Sequence, residues 1–344
     1  MIFDNAYYTR FVWPCAFIWI LDRLLRVLRI LSFNLKFWST KAVAIYDDTC
    51  DIVRLTVPYS QSFIEPRPGT FYYITSLDDR WFWQSHPFTL GYSTTVNSSE
   101  SSLALISPPS STGILSPPSY IGIPPTGREE RPGSRNSNTS FELQTLLKPL
   151  TAIPFSSLVF IIRPYNGFTR RLKEAAMHGP ANLRVLIDGP YGETQPFHTY
   201  ENVLFIVGGT GIAVPLSYLA KLLEKGSRTT SLKIIWAVRE HEFLVDSINS
   251  DFRGFLENEK LDLTAYVTRD AEGKEDERAR FRVCHGRPDV YAEVEEAARD
   301  SRDRRLAVVA CGPGQMVDDA RRAVVNMLGK GYSKIEYFEE SFNW

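Results

Sequence analysis

The 344-residue chain has room for about two domains, each able to bury its own core. Its 39 basic and 40 acidic residues leave a formal net charge of -1, which excludes the basic field that a nucleic-acid partner needs, while 44% hydrophobic and 13% aromatic content is that of a globular protein with an aromatic-rich surface or pocket. Four cysteines, Cys15, Cys50, Cys284 and Cys311, are scattered with no C-x-x-C pair, so neither a metal site nor a disulfide framework is expected, and a reducing compartment suits them.

The first forty residues differ from the rest. Phe11 to Leu21 is apolar and aromatic, but it runs only eleven residues before Asp22 and Arg23, against the roughly 20 that a spanning helix needs. Leu21, Leu24, Leu25, Leu28 and Leu31 continue one helical stripe, with Arg23, Arg26 and Arg29 beside it. This arginine row, with Trp13 and Trp19, fits the cytoplasmic exit of a membrane helix by the positive-inside and aromatic-belt rules. An amphipathic helix docked on the protein's own surface fits the same pattern. No cleavable signal peptide is expected, because Asp4 and Arg10 precede the apolar part.

From Lys41 the pattern changes to short β-favouring runs at 42–46, 52–57, 71–74 and 88–92, separated by turn residues, and strand character returns at 158–162 and 183–187. A small antiparallel barrel is predicted. Residues 107–140, rich in Pro, Ser, Gly and Asn, read as a disordered insertion within it. A short helix is predicted over 169–177, closed by Gly179 and Pro180.

The C-terminal half alternates. Val203 to Val207 is a doubly buried strand, Gly208, Gly209, Thr210 and Gly211 a tight turn, and Pro215 to Gly226 an amphipathic helix with its stop. Such a turn lets backbone N–H groups approach a pyrophosphate closely; taken alone, it suits a ligand-free βα turn equally well. Strands at 232–238, 261–268, 306–310 and 334–338 then alternate with helices at 245–256, 289–298 and 315–328. This predicts a parallel sheet covered on both faces, with ligands at the carboxyl ends of the strands, where Gly208 to Gly211, Arg239, Arg269 and Cys311 to Gly314 all fall.

Read together, His86-Pro87-Phe88-Thr89, Asp188-Gly189-Pro190-Tyr191-Gly192, Gly208-Gly209-Thr210-Gly211, Cys311-Gly312-Pro313 and the closing Glu340-Ser341-Phe342-Asn343-Trp344 stand in the order of the ferredoxin reductase-like superfamily. In detail they resemble fungal ferric-chelate reductases, relatives of NADPH oxidases. The resemblance covers nearly the whole chain apart from the insertion, and residues 19–26 are similar to the end of that family's last membrane helix.

The resemblance implies an α+β and α/β two-domain protein: an N-terminal membrane-proximal helix at 1–40, an antiparallel β-barrel flavin domain at 41–195, and a Rossmann-like parallel-sheet NADPH domain at 196–344. It places Phe88 and Thr89 along the flavin, with His86 toward the phosphates and Pro87 in the same strand. Arg163, followed by Gly167-Phe168-Thr169 at a helix start, is similar to the segment that holds the FAD pyrophosphate: a cation, a glycine and a helix N-terminus. By the same resemblance Gly208 to Gly211 would take the NADPH pyrophosphate, although Ala213 stands where many relatives carry threonine. Thr268 and Arg269 resemble the pair that grips the 2′-phosphate, with Arg239 at the end of the neighbouring strand, while Glu240, Glu242 and Asp270 lie close in sequence and work against a preference for NADPH.

Cys311, followed by Gly312 and Pro313, is implied beside the reacting nicotinamide carbon in a positioning role, Phe342 as the aromatic that covers the flavin, Glu340 as its nearby carboxylate, and Trp344 as an alternative stacking residue. The implied activity is electron transfer from NADPH through FAD to haem and on to ferric chelates, at the plasma membrane with the cofactor domains on the cytoplasmic side. None of His86, His178, His198, His241 and His285 lies in the membrane-like segment, so haem is expected only from a missing N-terminal region or a separate haem-binding membrane subunit. A superoxide-generating oxidase module, a soluble diaphorase and a non-catalytic relic remain alternatives.

Overall fold

The computed structural model describes residues 5–33, 41–59, 65–78, 84–94, 156–269, 276–278 and 281–340. The insertion expected at 107–140, and Phe342 and Trp344, lie outside them.

The chain opens with helix α1 (Asn5–Phe33), which runs unbroken through Pro14. Among the described residues no helix is long and apolar enough to cross a membrane. The charges Arg10, Asp22, Arg23, Arg26 and Arg29 interrupt the apolar run of α1 too often. Its aromatic stretch is nonetheless exposed: Phe11, Trp13, Phe17 and Trp19 are each more than 60% accessible.

Seven strands follow: β1 (Lys41–Asp47), β2 (Ile52–Tyr59), β3 (Phe71–Ser76), β4 (His86–Thr89), β5 (Tyr92–Thr94), β6 (Ser156–Ile162) and β7 (Ala181–Tyr191). They form one antiparallel sheet in the order β4-β3-β7-β1-β2-β6-β5. Consecutive strands β4 and β5 stand at opposite edges. Between them the Leu90 N–H donates to the Thr70 carbonyl (3.0 Å) and the Gly91 N–H to the Val159 carbonyl (2.9 Å), so one stretch of chain joins both edges and curls the sheet into a barrel. Alternation sets its interior, which Ala42, Ala44, Val53, Leu55, Tyr72, Ile74, Leu158 and Phe160 fill. Helix α2 (Phe168–Ala176) plugs one side with Phe168, Leu172 and Ala176.

The arginine row of α1 is bound to this barrel. Arg26 Nε donates to Asp188 Oδ2 (3.1 Å), Arg29 Nη2 donates to the Pro190 carbonyl (2.8 Å), and the Arg29 guanidinium lies 4.3 Å from the centre of the Tyr191 ring. Asp188 is buried and accepts a further hydrogen bond from the Tyr191 hydroxyl at 2.9 Å. Removing that carboxylate in Asp188→Ala is expected to undock the helix and let trypsin cut after Arg26 and Arg29 at least several-fold faster than in the native protein, because both arginines then cycle through solvent-exposed states. Unchanged cleavage kinetics would show that the helix is held by other contacts.

The C-terminal half is a second sheet. Strands β8 (Asn202–Gly208), β9 (Ser231–Val238), β10 (Leu261–Val267), β12 (Phe281–His285), β13 (Leu306–Cys311) and β14 (Ile335–Glu339) are parallel, and β11 (Asp276–Arg278) pairs antiparallel with β12, in the order β11-β12-β10-β9-β8-β13-β14. Helices α3 (Ala213–Leu223), α4 (His241–Ser250), α5 (Val290–Ser301) and α6 (Gly314–Gly329) connect them. On one face Phe205, Val207, Ile234, Trp236 and Val309 join a core that also takes in Cys50, Ile52 and Ile161 of the barrel half; on the other, Leu204, Ile206, Ile235 and Val308 meet α5 and α6.

Two local readings change. The helix expected at 245–256 begins at His241 and stops at Ser250, because Asp251 and Phe252 both bond back to the Ser247 carbonyl and Phe252 turns into the core. The antiparallel β11–β12 pair is not among the expected strands: β11 is three charged residues and β12 only five residues with Arg282 in it, so no apolar run marks them.

Candidate functional site at the switch point

Strand order in the parallel sheet reverses between β8 and β13, and a crevice opens at the carboxyl ends of two strands where their connections leave in opposite directions. β8 ends there in Gly208, and β13 in Cys311 with Gly312 next in the chain. After β8 the chain makes one helical turn, Gly209–Ile212, before α3; after β13 come Gly312, Pro313 and Gly314 at the head of α6.

The two turns touch. A methyl carbon added to Gly208 would lie 2.6 Å from Pro313 Cδ, and one added to Gly211 would lie 2.7 Å from the Cys311 carbonyl oxygen and 3.0 Å from its sulfur. Gly209 is the opposite case: its φ is +55°, and the space where a side chain would project is empty to 4 Å. The turn is thus packed tightly from behind and open in front. Trp236, fully buried on β9, donates its indole N–H to the Gly209 carbonyl at 2.9 Å and holds that opening in place. Sequence pattern alone marked Trp236 only as a strand residue.

Cys311 and Glu340 share this crevice. Burial, with a smaller contribution from the Glu340 charge, pushes the Cys311 thiol up to about 12, so it is a neutral packing group. Burial also pushes the Glu340 carboxyl up to about 7, and its N–H donates to the Ala310 carbonyl at 3.0 Å.

On the barrel side, His86 and Phe88 share one face of β4, as residues two apart in a strand must. The His86 ring stacks on Phe168 with centroids 4.7 Å apart, and Phe88 lies 5.9 Å from the same ring. Pro87 and Thr89 alternate with them along the strand, and all four residues of β4 are half-buried. Gly167, at φ +66°, caps α2 with open space beside it. The Thr169 hydroxyl is committed locally, accepting from the Tyr165 N–H at 2.8 Å.

The charged groups converge on one carboxylate. Arg163 Nη2 donates to Glu240 Oε2 (2.9 Å), while Arg269 Nη1 lies 3.4 Å from Glu240 Oε1. Thr268 is tied to β9 twice, its N–H and its hydroxyl both donating to the Val238 carbonyl, and Arg269 N–H donates to the Arg239 carbonyl. Arg239 and Arg269 are exposed. The structure therefore brings Arg163, Glu240, Thr268, Arg269 and Arg239 to one corner, joining the groups expected for two different cofactors. That Glu240 partners both arginines was not legible from its position beside Arg239.

Asp47, Cys50 and Asp246 form a cluster whose ligand atoms lie within 4.8 Å of one another. Its chemistry does not suit a cation: burial pushes the Cys50 thiol up to about 12, and the Arg54 guanidinium already occupies Asp246.

A family model described as the ferric reductase NAD binding domain matches residues 200–325, and one described as an FAD-binding domain matches residues 36–106. Ferric reductase transmembrane components 5 and 3 of Saccharomyces cerevisiae are each 25% identical to the chain, over 97% of it and 42% of their own lengths. Ferric/cupric reductase transmembrane component 1 of Candida albicans is 26% identical over 99% of the chain and 40% of its own length. The chain thus spans less than half the length of these curated relatives. Among solved structures, a ferredoxin NADP+ reductase from Neisseria gonorrhoeae with bound FAD and NADP superposes with a TM-score of 0.53 at 12% identity, covering 87% of this chain and 97% of that one. At that identity the likeness is one of fold.

Proposed function

The chain belongs to the ferric reductase family, and on that premise we propose that it is an FAD-dependent oxidoreductase that takes electrons from NADPH and delivers them toward a ferric chelate. The observation that carries this reading is the pair of abutting glycine turns at the switch point, closed behind by Cys311 and Pro313 and open in front at Gly209.

The residues present fit both cofactors. Gly209, whose missing side chain leaves open space beside backbone N–H groups at a helix start, suits the NADPH diphosphate. Gly167, equally open at the head of α2, together with Arg163 suits the diphosphate of FAD. Thr268, Arg269 and Arg239 supply cations and a hydroxyl for the 2′-phosphate. When bound, the cofactors would supply the redox chemistry, the reduced nicotinamide as hydride donor and the flavin as the acceptor that can pass electrons on singly. The protein contributes placement: Phe88 and His86 shape the flavin strand, Cys311 and Gly312 set the depth to which a nicotinamide enters, and burial around them excludes water. We assign residues 41–195 to the flavin half and 196–344 to the nucleotide half.

Glu340 has a part of its own. Its carboxyl, pushed up to about 7 by burial, carries its proton below that pH and loses it above. The neutral form places a proton donor at the crevice, whereas the anion repels a second negative charge. The rate of anaerobic flavin bleaching by NADPH is expected to fall through an inflection near pH 7, and Glu340→Gln, which stays neutral, is expected to flatten that profile. A wild-type profile already flat from pH 6 to 8 would remove Glu340 from the reaction. The same raised carboxyl favours the folded state below its ordinary range, and that contribution fades as pH rises through about 7.

The exposed aromatic stretch of α1 and its arginine row support placing the chain at the cytoplasmic face of a membrane. Residues 5–33 contain no histidine, so a haem acceptor would be ligated by another segment or by a separate membrane subunit. The test of the whole reading is direct: the purified chain should carry or bind FAD, and NADPH should bleach it anaerobically faster than NADH. Bleaching by NADH at an equal or higher rate would refute the role given to Thr268 and Arg269, and protein that cannot be loaded with FAD would refute the reading itself.

A further inference from the structure

Glu240 stands at the N-cap of α4, where an acidic side chain ordinarily accepts hydrogen bonds from the first turn of its own helix. Here it makes no capping bond. Its two oxygens are turned away from the helix instead, one to Arg163 at 2.9 Å and the other to Arg269 at 3.4 Å. The three residues come from three elements: the loop after β6, the turn after β9 and the turn after β10. The carboxylate is largely buried and the Arg269 side chain is 68% exposed, so the arginine presents its free side outward while Glu240 holds it from within.

Building on the cofactor assignment proposed above, we infer that Glu240 is an internal competitor for phosphate that sets the preference between NADPH and NADH and couples the two cofactor sites. One carboxylate is shared between two guanidinium groups, so neither arginine is fully neutralised. A diphosphate that engages Arg163 releases half of that carboxylate, which then turns wholly to Arg269 and weakens its hold on a 2′-phosphate. By linkage the converse is equal in size: a 2′-phosphate on Arg269 returns Glu240 to Arg163 and loosens the diphosphate there. The coupling is antagonistic, and its sign follows from counting charges at one corner. It also turns the conflicting signals around Arg239 and Arg269 into a function: the acidic residue moderates the arginines without forming a ribose site of its own.

The test uses the full chain, as purified and after saturation with FAD. Binding of adenosine 2′,5′-bisphosphate and of 5′-AMP is measured by calorimetry, and their affinity ratio reports 2′-phosphate recognition without any turnover. In the wild type, FAD is expected to lower that ratio severalfold. Glu240→Gln is expected to raise the ratio by about tenfold, within the ordinary range of coupling between sites, and to abolish its dependence on FAD. Glu240→Asp, which keeps the charge on a shorter arm, is expected to fall between the two and serves if the glutamine variant does not fold, as judged by circular dichroism.

A ratio that drops or stays level in both variants would overturn the inference and make Glu240 a mere brace for its arginines. Arg269→Gln keeps the two levels of interpretation apart. If it leaves the wild-type ratio unchanged, the assignment of Arg269 to the 2′-phosphate fails, and the inference about Glu240 fails with it. If it collapses the ratio while Glu240→Gln changes nothing, only the role of Glu240 is lost.

Discussion

Arg54→Ala is expected to cost about 3–5 kcal/mol of stability in urea unfolding, the range for removing one partner of a buried ion pair. Arg54 leaves β2 and reaches the end of α4. Its Nη2 donates to Asp251 Oδ2 at 2.7 Å and its Nε to Asp251 Oδ1 at 3.2 Å, a two-pronged contact, while Nη1 bonds to Asp246. The Asp251 side chain has no exposed surface, so in the alanine variant it keeps, among the described residues, the Tyr92 hydroxyl at 3.2 Å as its hydrogen-bond donor outside its own helix.

Asp246 adds to the loss. Burial already raises its carboxyl, with Asp251 and Asp47 pushing the same way, and Arg54 is the main influence opposing them. Arg54→Ala combined with Asp251→Asn should recover part of the lost stability, because the uncompensated charge is then gone. Arg54→Lys should keep the charge but lose the fork, giving an intermediate result. Since Arg54 joins the barrel to the nucleotide sheet, the alanine variant is also expected to bleach flavin more slowly at equal amounts of folded protein. A variant within about 1 kcal/mol of the native protein would show that the network adds nothing beyond the apolar contacts around it.

Gly211→Ala and Gly209→Ala should fail in different ways, although the two glycines are neighbours in one turn. At Gly211 the added carbon meets the Cys311 carbonyl oxygen at 2.7 Å, and that oxygen belongs to a fully buried strand which cannot yield easily. The expected cost is about 1–3 kcal/mol of overpacking, with nucleotide binding lost as the turn shifts. At Gly209 the methyl group meets nothing within 4 Å, but it forces an L-residue to adopt φ +55° and fills the open cradle.

Its stability cost should be about 1–2 kcal/mol from the left-handed conformation. Its larger effect should be on ligand: binding of adenosine 2′-monophosphate, which has no 5′-phosphate to enter a diphosphate cradle, should be nearly native, whereas NADP+ should bind about tenfold more weakly or worse, equivalent to about 1.4 kcal/mol. Equal weakening of both ligands would place the diphosphate somewhere other than the Gly209 turn.

What was legible in the sequence was whatever is encoded over short spans. Val203 to Val207 and Leu306 to Ala310 read as continuous apolar runs because parallel strands covered on both faces leave no position for a polar residue, and the structure buries every one of these positions. The glycines at 208, 209 and 211 marked a turn for the same local reason, although only the tertiary structure divides them into two that are packed from behind and one that is open in front.

The sequence by itself thus determined the two kinds of sheet, their order and the positions of the phosphate-compatible turns, because hydrogen-bonding period and burial repeat every two to four residues. Only the tertiary structure decided which charges meet. Arg163 and Glu240 are 77 residues apart, Arg54 and Asp251 are 197 apart, and Arg26 reaches Asp188 across 162. No local pattern records such pairs, since each depends on how one sheet comes to lie against another, and the energy of an ion pair depends on the burial that this packing creates.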